Sequence, residues 1–216
     1  MSLLRLPRSI RDDIFRRVLV VAHPLYLFQD TGSTVVETFG PEIRGRWLAL
    51  LYTNRQMHDE ATAVLYGFNR FTMVDTTPRQ VVLLQSFLIC IGSANAGLLS
   101  HVSINFPVAE RVDGKPEEIR LREDGLRSLK LLQDKCTNLK TLEIFVHNQS
   151  SEGLNQKSYN NAEFIQKALS QIHGQFKLIP SLSRVVVRFY DSPPASPVIE
   201  LMQGLGWVIL IGDKGH

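Results

Sequence analysis

Few residues of this chain are spaced so that they could do chemistry. His58, Asp59 and Glu60 stand together, but a zinc-binding helix needs two histidines four apart, and His58 has no such partner. Gly204-Leu205-Gly206 offers two glycines of a dinucleotide loop without the third and without a strand-then-helix context. No P-loop lysine and no nucleophile elbow is present. Cys90 and Cys136 stand in apolar helical stretches with no local histidine, which predicts buried, inert thiols rather than a disulfide or a nucleophile. Glu117, Glu118, Glu123 and Asp124 lie in a charged connector punctuated by Gly and Pro, the setting of a solvated face. These readings describe a non-enzymatic chain with no metal and no cofactor.

The elements that would position any site begin with an amphipathic helix. Pro7 suits a first helical position, where its missing N–H costs nothing. Ile10, Ile14 and Val18 recur every four residues with Phe15 and Leu19 beside them, predicting one buried stripe with the arginines on the remaining surface. Arg5, Arg8, Arg11, Arg16 and Arg17 against Asp12 and Asp13 give this segment +3, the whole net charge of the 216-residue chain. Without aromatic interleaving or an RNA-module signature, five arginines are a weak nucleic-acid footprint, and a solvated face is the simpler reading. Apolar content of 44% fits a globular protein with a real core. The longest apolar run, Val81 to Gly92, is too short to span a bilayer and reads as a buried helix. No secretory signal is visible, so the expected location is intracellular, in cytoplasm or nucleus, with no membrane association.

A turn-rich insert over residues 23–45 holds Pro24, Gly32, Gly40 and Pro41 and predicts a short hairpin. Beyond it, Trp47, Leu48, Leu50 and Leu51 form an apolar turn, and Thr53 or Asn54 can cap a helix carrying Met57, Ala61, Val64 and Leu65. Gly67 ends it, giving three helices by about residue 68. The two segments Leu3–Leu19 and Leu48–Phe71 together resemble a large fungal family of F-box-like proteins. The shared pattern is a Leu-Pro-x-x-Ile-Arg helix, a variable insert, then Arg55, Gln56, Glu60, Ala61, Leu65, Tyr66, Asn69 and Phe71 in order. Ser9 and Asn54 depart from it, and the insert is longer than in ordinary F-boxes. The resemblance covers the first third of the chain. It implies a three-helix F-box-like unit at 1–70 whose Leu4, Leu6, Pro7, Ile10 and Ile14 would face a Skp-type adaptor of a cullin–RING ubiquitin ligase.

Residues 71–216 carry an internal repeat. Leu99…Val102-Ser-Ile104-Asn-Phe106 aligns with Leu139…Leu142-Glu-Ile144-Phe-Val146 and with Leu182…Val185-Val-Val187-Arg-Phe189, and Leu205…Val208-Ile-Leu210 is a shorter fourth copy. Each copy has the form of a leucine-rich-repeat strand. Helical stretches over Glu117–Cys136 and Ala162–Phe176 separate them, so the strands near 71–74, 101–106, 141–146, 184–189 and 207–211 should run parallel with right-handed crossovers. The residues between the apolar ones are mostly polar, which argues for one open face rather than a doubly covered sheet. The expected fold is therefore α+β or α/β: a helical unit packed on a short, one-sided leucine-rich-repeat-like arc of parallel strands. Its open face, with Ser103, Asn105, Glu143, Phe145, Arg184 and Arg188, is the candidate surface for a protein target. Two functions follow: an F-box-like adaptor, or a ligase-independent scaffold whose helices merely cap the arc. A nucleic-acid-associated subunit using the N-terminal arginines is a weaker third.

Overall fold

The computed structural model describes residues 3–41, 45–112, 114–147, 162–190 and 194–212. A 3-10 turn at Leu3–Arg5 precedes α1, Arg8–Leu19. Pro7 sits one position before the helix, and its carbonyl accepts from the Ile10 and Arg11 amides. The insert forms a hairpin of β1, Leu25–Phe28, and β2, Glu37–Phe39. A second 3-10 turn, Trp47–Tyr52, leads into α2, Arg55–Phe68, whose first turn is capped by Asn54 Oδ1 accepting from the Met57 amide at 3.0 Å. Two α-helices and two 3-10 turns thus stand where three helices were expected. Thr53 and Asn54 interrupt the run, and Asn54 has the extended backbone of a cap.

β3, Arg70–Met73, and α3, Gln80–Ala96, come next. Gly92 breaks α3 with φ 77° and ψ 162°, a region open in practice only to glycine. β4, His101–Asn105, is followed by a second hairpin, β5, Ala109–Val112, and β6, Lys115–Leu121, and by α4, Glu123–Lys135. The helix expected from Glu117 is therefore a strand as far as Leu121. Ile119 and Leu121 alternate at the strand period and are buried. β7, Thr141–Val146, α5, Ala162–Lys177, β8, Arg184–Phe189, α6, Ser196–Gly204, and β9, Val208–Ile211, complete the described chain.

The result is a mixed α/β protein on a mostly parallel sheet, seven strands among the described residues, ordered β2-β1-β3-β4-β7-β8-β9. From β1 onward each strand lies parallel beside the one before it in that order, and only β2 is antiparallel. The insert is thus part of the sheet, because β1 pairs with β3 as Leu25 with Phe71 and Leu27 with Met73. Crossovers of one hand that advance steadily in one direction leave their helices on one side. Accordingly, Val102, Ile104, Leu142, Ile144, Val185 and Val187 share one continuous core with α3, α4, α5 and α6.

The repeat copies fall in register, Val102 with Leu142 with Val185. The fourth does not: Val208 pairs with Val186 rather than Val185. That one-residue slip turns Val208 and Leu210 to the far face and Ile209 to the helical core, since side chains alternate along a strand. The β5–β6 hairpin lies against α5, with the Arg111 guanidinium 5.0 Å over the Phe164 ring and Gln171 donating to the Ile119 carbonyl. Cys136 is buried but Cys90 is exposed, and both thiols are free.

Candidate functional site

Most residues that carry the F-box-like resemblance hold α1 against α2. Arg11 meets Glu60, 49 positions away, with Nε donating to Oε2 at 2.6 Å and Nη2 to Oε1, while Nη1 donates to the Leu6 carbonyl. Gln56 and Arg8 add contacts to the same carboxylate. The Arg11 hydrogen bonds outweigh burial and lower the Glu60 carboxyl to about 2. At the other end, Asn69 is fully buried: its Oδ1 accepts from the Val21 amide and its Nδ2 donates to the Leu19 and Leu65 carbonyls, each at 2.9 Å. Tyr66 stacks on Phe71 at 5.7 Å, joining α2 to β3. Ala61 and Leu65 belong to a small core with Phe15, Leu19, Leu51, Met57 and Val64.

This packing corrects the reading of α1. The face turned inward is Arg11, Phe15 and Leu19, about 100° round the helix from Ile10, Ile14 and Val18. Phe15 and Leu19 fill the gap beneath α2, and Glu60 draws Arg11 in with them. Of the expected stripe, Phe15 and Leu19 are fully buried, whereas Ile10 is 49% and Val18 43% exposed, with Ile14 half-buried. Of the other candidate residues, Leu4 is 39% exposed, Pro7 is exposed and Leu6 half-buried. The arginines are mostly engaged within the chain. Arg8 pairs with Asp12, Arg17 with Asp13, and Arg16 lies 4.3 Å over the Phe68 ring. This weakens the nucleic-acid reading.

On the sheet face away from the core helices, the register lines up Thr72, Ser103, Glu143 and Val186 across four strands, and Asn105, Phe145 and Arg188 in the next row. The expectation of an open, solvated surface fails at its centre. Ser103, Glu143 and Phe145 are all buried, Asn105 and Arg188 are half-buried, and only Arg184 is exposed. The cause is local. Arg188 Nε donates to Glu143 Oε1 at 2.7 Å, His101 Nε2 lies 3.3 Å from Oε2, and Ser103 sits beneath them. Burial alone would raise the Glu143 carboxyl, but the His101 and Arg188 hydrogen bonds outweigh it and hold the group below the usual carboxylate range. His101 turns to Glu143 and not to Ser103, so the cluster fixes charge on the sheet and sets up no serine–histidine pair. Beyond it, the His147 and Tyr190 rings stack at 5.4 Å, with Phe145 tilted against Tyr190 at 5.3 Å. Both rings could have been found in the sequence, two positions past Phe145 and Arg188 on the same face.

Fold and surfaces together define an α/β protein with two distinct outward features: an apolar helix stripe and a polar sheet face locked around Glu143. No family model matches the sequence, and no curated protein or solved structure matches it either. Among the described residues no helix is long and apolar enough to cross a membrane.

Proposed function

We propose that this chain is a non-enzymatic, F-box-like adaptor: the helical unit at 1–70 holds a Skp-type subunit of a cullin–RING ubiquitin ligase, and the leucine-rich-repeat-like arc at 71–216 holds a protein target. The observation that supports this is the division of labour on α1. Its Arg11–Phe15–Leu19 face satisfies the chain's own core, while Ile10, Ile14, Val18 and nearby Leu4 keep a second apolar line outside. Scattered exposed apolar residues need no explanation, but a line at i, i+4 and i+8 is the pattern by which helices are gripped. On the target side, Arg184, Arg188 and Tyr190 rim the sheet face. Co-purification of the full chain with a Skp-type adaptor tests the proposal, and no complex under conditions where an ordinary F-box protein binds would end it.

The alternative is a ligase-independent scaffold. It is favoured by the buried Arg11–Glu60 pair and by Asn69, which show that the pattern residues already have an intramolecular task. In that case Ile10→Glu would leave every interaction of the protein unchanged.

A further inference from the structure

A hollow lies where α2, α3 and the β1–β2 hairpin meet, and its walls are mostly aromatic and aliphatic. It is half open to solvent and holds about 360 Å³. Trp47, Tyr66, Phe71 and Phe87 supply aromatic walls, with Leu25, Leu48 and other aliphatic groups between them. Tyr66, Phe71 and Phe87 form one stacked series at 5.7 and 5.4 Å. Among the described residues no charged side chain lines it. The side-chain polar groups on its described wall are the Thr38 and Tyr66 hydroxyls, the Cys90 thiol and the Trp47 indole N–H, and none of them makes a side-chain hydrogen bond to a described residue. Tyr66 is half-buried, and burial raises its phenol further, so it stays a donor. A tyrosine hydroxyl on such a wall is placed to donate to a ligand.

We propose that this cavity binds a neutral, flat, largely apolar small molecule of about two fused rings that presents one hydrogen-bonding group to Tyr66. Size, charge and shape each point the same way. An apolar cavity of about 150 Å³ accommodates one benzene ring, so this one has room for roughly twice that. The described wall offers no charge to offset the desolvation of an ionised ligand, which favours a neutral one. The aromatic series favours a ring over a flexible chain through offset or edge contacts. Concave, mostly apolar sites with a few converging polar groups are the usual form of small-molecule sites. Two other hollows among the described residues lack these properties: the crevice at the carboxyl ends of β3 and β4 holds about 30 Å³, and the groove between α5 and α6 has no aromatic wall. The inference is independent of the adaptor proposal and gives the insert a role, since Leu25, Val36 and Thr38 close one side of the site.

Cys90 supplies the readout. It is the exposed thiol, whereas Cys136 is buried and its thiol is pushed up to about 12, so a maleimide reports Cys90 alone in the folded chain. With 2-naphthol as probe, binding should appear by calorimetry, and Cys90 modification should slow about tenfold at saturation. 2-Naphthoate, the same ring system with a charge, should do neither. Tyr66→Phe should weaken 2-naphthol about tenfold, the share of one hydrogen bond. Leu48→Trp should abolish binding by filling the space, and Thr38→Trp, on the exposed hairpin, does the same if the first variant fails to fold. Absence of 2-naphthol binding up to its solubility limit, equal binding of 2-naphthoate, or unchanged binding in a folded filling variant would overturn the proposal.

Discussion

Replacing Asn69 should unpick the joint between α1 and α2 more than its size suggests. The side chain is 1% exposed and makes three hydrogen bonds of 2.9 Å, one received from the Val21 amide and two given to the Leu19 and Leu65 carbonyls. A net contribution of about 0.5–1.5 kcal/mol per bond puts the loss in Asn69→Ala at about 2–4 kcal/mol. For a chain of this length that corresponds to a fall in Tm of roughly 5–15 °C. Asn69→Asp is the sharper probe because its shape is almost unchanged. It keeps the acceptor for Val21 but loses both donors and sets a carboxylate against two carbonyls, so at neutral pH it should cost at least as much as alanine. Acidification should restore part of the loss, since a protonated carboxyl can donate to one carbonyl. Urea unfolding at neutral and acidic pH measures all of this. A loss below about 1 kcal/mol for Asn69→Ala, or an aspartate variant as stable as the parent, would refute the reasoning.

Other expectations rest on separate features. Glu60 titrates at about 2 in the folded chain, below its ordinary 4.5. Its contribution is therefore present above the unfolded value and lost as pH falls from about 4.5 toward 2; Glu60→Gln should flatten that part of a stability–pH curve. Gly92→Ala meets no neighbouring atom within 4 Å, so its cost is backbone strain alone, about 1–3 kcal/mol by denaturant unfolding. Phe15→Ala should cost about 3–5 kcal/mol, as expected for a large, fully buried ring, while Ile10→Ala should stay within about 0.5 kcal/mol. Equal effects of the two would mean that the inner and outer faces of α1 are wrongly assigned.

The parallel sheet was legible because the repeat marks it twice over: alternating apolar residues mark each strand, and spacings of 40 or so leave room for a helical crossover, which between β4 and β7 shares the interval with the β5–β6 hairpin. What spacing could not reveal was partnership. Nothing local marks Arg11 as a core residue; it turns inward because Glu60, far along the chain, meets it there. Periodicity alone therefore placed Phe15 and Leu19 inside but took Ile10 and Val18 in with them and left Arg11 out. The polar row of Ser103 and Glu143 misled in the same way, since alternation says which residues share a face but not that Arg188 and His101 will fold over them. Cys90 follows a third pattern. An apolar helix such as α3 has exposed positions too, and composition does not say which residues fall on them.

The most direct test of the central claim is a calorimetric titration of a Skp-type adaptor into the full chain and into an Ile10→Glu, Val18→Glu double variant. Both positions are about half exposed and outside the small helical core, so the variant should fold normally. The account predicts a complex with the parent chain and an affinity at least about a hundredfold lower for the variant, as for loss of two anchors of a helix-borne contact. No complex with the parent, or equal affinities, would contradict it.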